Sequence, residues 1–336
     1  VTGSAAHHRS GAGALFVLAA SVLWATTGTA ATFAPGAGPL AIGAAAMGIG
    51  GLLQAAAAGR ATARARRLLY AQRNVVALGA VAVAVYPLAF YTSMQLAGVA
   101  VGTVVSIGSA PLASALIERI LEGHRLSARW AAGAVPGLAG TALLCLASPA
   151  GGGAGTASAW STAAGTGLGL AAGLTYALYS WAARRLMLRA VPPRAAMGAV
   201  FGAGGLLLMP VLILTGAPLL DSWTNAAVAG YMALVPMFAG YLLFGRGLAR
   251  VAASTATTVS LAEPVVAAVL AVGVVGERLP ALGWAGAALV LASLVVLTLP
   301  VRRPLPGCAR DTGTHLQSEG TSPEHELRKM SRMNSR

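Results

Sequence analysis

Charge is what this sequence lacks most. Only 10% of its 336 residues are Asp, Glu, Lys or Arg, against about 25% in a soluble domain, which excludes water as the chain's main solvent. Cysteine is scarce too: Cys145 lies in an apolar run and Cys308 in the polar C-terminal stretch, so neither a disulfide framework nor a metal-ligand spacing exists. A single lysine, Lys329, and the lack of any Gly-x-x-x-x-Gly-Lys loop exclude a nucleotide-driven pump. Aspartate is missing from every apolar run, and all five histidines fall outside them. An aspartyl dyad, a His-Glu-x-x-His zinc site and a Ser-His pair are thereby excluded, so the sequence predicts no enzyme, no cofactor and no bound metal.

What is present is apolar: 57% of the residues are hydrophobic and the mean hydropathy is +0.73. Apolar runs occur at 12–34, 39–58, 75–95, 101–120, 128–147, 163–186, 195–214, 226–245, 255–275 and 281–299, ten in all. Each is near the roughly 20 residues that cross a hydrocarbon core. Pro35-Gly36, the stretch from Arg60 to Arg73, Gly151-Gly152-Gly153 and the stretch from Gly216 to Asn225 separate them. The predicted fold is an all-α integral membrane protein with ten transmembrane helices. Residues 1–11 form a short lead segment, and 300–336 read as a disordered tail, too polar to bury. No clear cleavage site follows His7, His8 and Arg9, so the first helix is expected to stay as a signal anchor.

The formal charge of +14 would suit a nucleic-acid binder if the arginines formed one basic face. They do not; they sit in the breaks between apolar runs, where lysines and arginines gather on the cytoplasmic side. With a cytoplasmic start, 22 of the 23 Lys and Arg fall in inside segments, and only Arg278 lies outside. Both termini are therefore expected in the cytoplasm, with the chain in the plasma membrane.

The two halves align without a gap at an offset of 153 residues: Pro39 falls on Pro192, Gly51 on Gly204, Leu53 on Leu206, Pro111 on Pro264, Gly123 on Gly276, Arg125 on Arg278, Leu126 on Leu279 and Gly133 on Gly286. The expected domains are a five-helix repeat over 12–147, an external linker over 148–162 and a second five-helix repeat over 163–299. Because each copy has an odd number of spans, the second enters the membrane from the opposite side, which makes an inverted repeat of the transporter kind.

In the second copy Glu263-Pro264 is followed by Gly276-Glu277-Arg278-Leu279; in the first, Pro111 is followed by Gly123-His124-Arg125-Leu126. With ten spans and a duplication, this resembles the EamA-type drug/metabolite transporters over about residues 12–299. His124 stands where the family pattern has glutamate, so that residue's role does not carry over to the first half. The resemblance implies a solute path between the halves, lined by the first four helices of each repeat, with the fifth and tenth spans peripheral. It also implies an exporter of amino acids, related metabolites or drugs. The expected function is a gradient-driven exporter of amino acids or related small metabolites; the alternatives are a drug or organic-cation exporter and a non-transporting membrane scaffold. The expected partners are a small solute and the lipid bilayer, and a homodimer is left open.

A solute path needs stacking surface and a few polar groups. Tyr176, Tyr179 and Ser180 share one face of the sixth span by their spacing, and Trp24 and Thr27 share one of the first. Tyr86, Tyr91 and Gln95 come from the third. The competing reading is that aromatic residues near span ends are interfacial anchors, which fits Trp160, Trp223 and Trp284 better. Thr103, Ser106, Thr257, Thr258 and Ser260 either line the path or bond their own helix backbones near the kink prolines Pro111 and Pro264. Neither proline-bearing helix need unwind. The Gly-Glu-Arg-Leu cluster reads as architecture, its glycine supplying a left-handed helix end. Gly165, Gly169 and Gly173, like Gly198 and Gly202, give small faces for close helix packing.

Glu263 is the sharpest candidate. It is the one acidic residue well inside an apolar run, about 12 Å along the ninth span if that helix starts at Thr255. A charged acidic side chain at such depth costs about 2.5–3.5 kcal/mol, so it should face the interior or a wet cavity. Its first-repeat counterpart is Ala110, so the fold itself requires no carboxyl there. The expected roles are proton exchange with the path or pairing with a cationic solute group. The structural alternative is a protonated carboxyl bonded to backbone freed by Pro264.

Overall fold

Lipid offers no partner to backbone N–H and C=O groups, so a chain this apolar must satisfy them within its own helices. The computed structural model describes residues 2–31, 33–34, 36–123, 127–147, 159–270, 272–273 and 280–298, and among them there is no strand. The tail, the Gly276 to Leu279 cluster, His124 to Leu126 and most of the predicted linker lie outside the described residues.

Twelve helices are numbered here in chain order. They are α1 (Thr2–Ala31), α2 (Pro39–Arg64), the short α3 (Arg66–Ala71), α4 (Arg73–Ala97), α5 (Val99–Glu122), α6 (Ala128–Ala147), α7 (Ala159–Leu188), α8 (Pro193–Thr215), α9 (Trp223–Leu248), α10 (Ala253–Val259), α11 (Ala262–Leu270) and α12 (Ala281–Thr298). Seven helical stretches among the described residues are long and apolar enough to cross a membrane: Gly11–Ala31, α2, α4, Val101–Glu122, α8, α9 and the α10–α11 pair. The chain is thus a multi-pass membrane protein. The other three predicted spans fall on α7, whose end carries Arg184 and Arg185, and on the shorter apolar stretches Trp130–Leu144 and Ala281–Leu297.

The helix ends have local causes. Gly98 and Gly123 take φ of +86° and +67°, a region that costs a side chain strain, and so turn the chain after α4 and α5. Ser222 caps α9 by accepting from the Asn225 N–H at 3.0 Å. The two membrane prolines behave differently. α5 runs unbroken through Pro111, whereas the ninth span breaks at Ser260–Leu261 into α10 and α11. Pro264 has no N–H to give the Ser260 carbonyl, and the Glu263 N–H bonds it instead at 3.0 Å. Two other helices contain a π segment, Ala44–Ile49 in α2 and Ala233–Gly240 in α9.

Small residues let the helices approach closely. α4 lies along α7 and α9 along α1; α5 lies along α7 and α11 along α1; α2 packs on α8 and α6 on α12. A shift of 153 residues carries the first member of each of the first two couples onto the second, and maps the last two contacts onto themselves. The match holds at single residues. A Cβ on Gly165 would stand 2.7 Å from the Ala97 Cβ, and one on Gly13, one residue beyond the position that answers Gly165, would stand 2.8 Å from the Arg250 Cβ, at the position that answers Ala97. α6 and α12 touch through bare backbone: a Cβ on Gly140 would lie 2.6 Å from the Gly286 carbonyl oxygen, and one on Gly286 2.7 Å from that of Gly140. At the answering positions, Ser293 Oγ donates to the Gly133 carbonyl at 2.5 Å. Large apolar side chains such as Leu15, Val81, Leu206, Ile213 and Leu291 are exposed on the outside, where lipid rather than water suits them.

Candidate functional site

Between these helices lies a cleft walled by Trp24 and Thr27 of α1, Gly43, Ala46 and Met47 of α2, Tyr86, Pro87, Phe90 and Tyr91 of α4, Tyr176 and Tyr179 of α7, Met237 and Tyr241 of α9, and Glu263 of α11. Neither α6 nor α12 contributes. The cleft holds about 470 Å³ free of atoms, but only about 30 Å³ admits the centre of a water molecule, so the rings nearly close it.

Those rings form one continuous cluster. Tyr176 stacks on Tyr179 with centroids 5.2 Å apart, Tyr86 lies 5.7 Å from both, and Trp24 lies 4.8 Å from Tyr241. Phe201 and Phe244 back the cluster, at 4.4 Å and 6.0 Å from Tyr241. Most polar tips already have partners, as buried aromatic hydroxyls and indoles require. Trp24 Nε1 donates to the Pro236 carbonyl at 3.0 Å, and Gln54 Nε2 donates to that of Phe238 at 3.0 Å; both carbonyls belong to the π segment of α9. Tyr176 Oη donates to Ser260 Oγ at 2.9 Å, and Ser260 Oγ donates to the Thr257 carbonyl at 2.8 Å. Tyr179 and Tyr241 share one hydroxyl–hydroxyl bond of 2.8 Å, and Thr27 Oγ1 donates to the Trp24 carbonyl at 2.7 Å. Three groups on the wall have no hydrogen bond or ion pair from their side chains among the described residues: the Tyr86 and Tyr91 hydroxyls and the Glu263 carboxyl. Among the described residues, no Lys, Arg or His lines the cleft.

Of the residues singled out from sequence, Trp24, Thr27, Tyr86, Tyr91, Tyr176, Tyr179 and Glu263 meet at this wall. Ser260 stands behind it, holding Tyr176. Thr257 lies deeper, bonded to Ser114 Oγ at 3.2 Å and to its own helix, and Pro111 and Pro264 are buried off the cleft. Ser106 and Ser180 are buried with no partner for their hydroxyls among the described residues, and they do not line the cleft. Trp160 and Trp223 point outward, 82% and 87% exposed. Sequence reasoning passed over Met47, Phe90, Met237 and Tyr241, whose side chains look the same in sequence whether they face lipid, core or path.

It also passed over a second polar group, at the end where the arginines of α2, α7 and α9 lie. Glu118, near the end of α5, is only 5% exposed. Its carboxylate accepts from Ser254 N at 3.1 Å and from Ser254 Oγ at 2.6 Å, satisfying a donor that the start of α10 leaves open. Trp130 Nε1 of α6 donates to Thr258 Oγ1 at 3.1 Å. One turn on, Glu122 accepts from Trp181 Nε1 at 3.0 Å and lies 3.8 Å from Arg185, while Arg184 Nη1 donates to the Leu248 carbonyl at 2.9 Å. α5, α6, α7, α9 and α10 are thus joined there by directional bonds.

A polytopic helical protein whose two halves close round an aromatic cleft with one unpaired carboxyl falls in the class of membrane transporters. The chain belongs to the EamA-like transporter family, whose pattern matches it twice, over residues 11–146 and 163–299. It is 35% identical over 290 residues to an uncharacterized transporter, YwfM, of Bacillus subtilis (strain 168), an alignment that covers 86% of this chain and 94% of that one. It is 29% identical over 214 residues to a probable terminal-alkyne amino-acid exporter of Streptantibioticus cattleyicolor, covering 62% of this chain and 66% of that one. A solved crystal structure superposes with a TM-score of 0.70 at 24% identity, covering 84% of this chain and 95% of the other, a likeness of fold.

Proposed function

We propose that this chain is a gradient-driven exporter of amino acids or related small metabolites, a ten-helix inverted repeat that opens one central cleft to each face of the plasma membrane in turn. The observation that carries the reading is the cleft itself: its wall comes from α1, α2 and α4 of the first half and from α7, α9 and α11 of the second. The packing that repeats under the 153-residue shift supports the inverted arrangement, as does the double family match. Seven helices meet the length of a span; α6, α7 and α12 complete the ten. The arginine-bearing end is cytoplasmic by the positive-inside rule, and so are both termini. Gradients supply the energy, since the sequence has no nucleotide-binding loop. The relative named as a probable amino-acid exporter supports the substrate class.

An organic-cation exporter is the second reading, favoured by a carboxyl on a wall that carries no basic residue. A scaffold would have no use for such a cleft. Purified protein in liposomes, offered amino acids, organic cations and neutral metabolites with and without a proton gradient, is expected to move members of the first class, faster with the gradient. Absence of flux for every class, with the protein correctly inserted, would refute the transporter reading. A reporter active only outside the cytoplasm, fused after Leu299, is expected to stay silent, and a strong signal would reverse the orientation.

A further inference from the structure

We infer that the cleft seats the ammonium group of its solute on the Glu263 carboxyl, amid the rings of Trp24, Tyr86 and Tyr176. This rests on the transporter reading of the same cleft and narrows its substrate to solutes that carry an amine.

The argument is an inventory of what the wall has left to offer. An anionic solute group needs a cation or several free N–H or O–H donors. Among the described residues the cleft has no Lys, Arg or His, and the donors of Trp24, Thr27 and Tyr176 are already taken by Pro236, Trp24 and Ser260. What remains is one carboxyl with no partner among the described residues, two neutral hydroxyls on Tyr86 and Tyr91 that can accept or donate, and the faces of a ring cluster. An ammonium has three donors and a full charge. It is the group a carboxylate and aromatic faces bind together, the rings supplying negative π surface and excluding water.

The placement of Glu263 is consistent with this. Pro264 breaks the helix just before it, and the backbone rearrangement at Ser260–Leu261 is met by the Glu263 N–H, not by its carboxyl. The side chain is therefore not needed to repair the break. Ala110 at the answering position of the first half shows that the fold carries no carboxyl there by default. The apolar remainder of the wall, Met47, Phe90 and Met237, suits a hydrocarbon or aryl body. A zwitterion is also accommodated, because the Tyr86 and Tyr91 hydroxyls can donate to its carboxylate as readily as they accept.

The test uses the full chain in lipid nanodiscs and three probes of one size: phenethylammonium, 3-phenylpropanoate and 2-phenylethanol, with binding read by calorimetry. The ammonium is expected to bind at least roughly tenfold tighter than the other two, the scale of a hydrogen bond to a charged group. Glu263→Gln is expected to bring it down to the level of the alcohol, and Glu263→Asp, which keeps the charge on a shorter stem, to retain part of the preference. Equal binding of the three probes by the unmodified protein, or a preference that survives Glu263→Gln, overturns the inference. The unmodified protein's selectivity decides the matter even if the glutamine variant fails to insert. Liposome flux separates the two readings: neutral solutes moving with no amine preference would leave a transporter without this seat, and ammonium bound at Glu263 with no solute crossing would leave the seat without a transporter.

Discussion

In the inverted repeat proposed above, the 153-residue shift relates the end of the bundle where the arginines lie to the end opposite, yet their chemistry differs. At the arginine-bearing end Glu118 holds the first turn of α10 by two bonds to Ser254, and Trp130 reaches Thr258. In sequence, the shift pairs Glu118 with Ala271, which lies outside the described residues, Ser254 with Val101, Trp130 with Gly283 and Thr258 with Val105. None of those side chains can make the bonds of its counterpart. Among the described residues, the arginine-bearing end has a buried carboxylate that ties α5 to α10. Closure there depends on directional bonds to a buried carboxylate, whose loss leaves buried polar groups unpaired, whereas the inter-helix bonds at the opposite end among the described residues join neutral groups: Ser93 Oγ donates to the Gly165 carbonyl at 2.7 Å and Tyr231 Oη donates to Thr26 Oγ1 at 2.8 Å. The charged bonds make the arginine-bearing end the harder one to open.

The most damaging break is Glu118→Ala, which strips both partners from Ser254. The expected loss is about 1.5–3 kcal/mol in favour of closure at that end. In a background lacking Cys145 and Cys308, a cysteine at Ser114 should then be labelled from the arginine-bearing side at least about tenfold faster than with Glu118 intact. Unchanged labelling would mean that Glu118 does not hold that end shut. The comparison is sharpened by building the missing bonds: Ala271→Glu combined with Val101→Ser is expected to slow solute flux several-fold while leaving insertion normal. Unaltered flux would mean that a carboxylate at that register does not tie the opposite end.

Ser254→Ala is a gentler break, because the Glu118 carboxylate keeps the backbone N–H and loses only the hydroxyl. A loss of about 1 kcal/mol is expected, seen as cysteine labelling intermediate between the parent and Glu118→Ala; a rate equal to that of Glu118→Ala would put the whole effect on the hydroxyl. Smallest of all should be the effect of removing residues 304–336, a stretch of low apolar content. Flux is expected to stay at the parent level once expression is matched, and near-complete loss would contradict this reading of the tail.

Which features could be read in advance follows from the physics of each. Scarce charge and repeated apolar runs are properties of the whole chain, so the helical membrane class was plain from composition. The two family matches, over residues 11–146 and 163–299, had a trace in the sequence because prolines and glycines such as Pro111, Pro264, Gly133 and Gly286 are rare enough as a set to hold a register. Glu263 stood out because a carboxyl inside an apolar run is costly, and Tyr176, Tyr179, Trp24, Thr27 and Tyr91 stood out because they combine size with a polar tip. Phe90, Met47 and Met237 gave no such signal. Glu118 was passed over because an acid at the end of an apolar run resembles an interfacial residue, and only the fold brings Ser254 to it across 136 residues. The serines and threonines divided: Thr257 bonds its own helix, Ser260 ties Tyr176 to it, and the hydroxyls of Ser106 and Ser180 have no partner among the described residues and do not line the cleft. The break at Ser260–Leu261 was hidden because the same proline leaves α5 intact.

The π segments in α2 and α9 have one more effect. Each fits an additional residue into the helix, and one residue of an α-helix corresponds to about 100° of rotation. A helical wheel drawn at constant pitch therefore runs out of phase beyond Ala44–Ile49 and Ala233–Gly240. In α2 the slip lies between Gly43, which lines the cleft, and the stretch that seats Gly51 on Phe201 and Gly198 on Ala58. One rod can thus turn separate faces to the solute and to its neighbour, as two gears cut on one shaft can be keyed at different angles. Deleting a single residue such as Ala45 would remove that offset and rotate one set of teeth against the other while leaving the composition of the helix almost untouched.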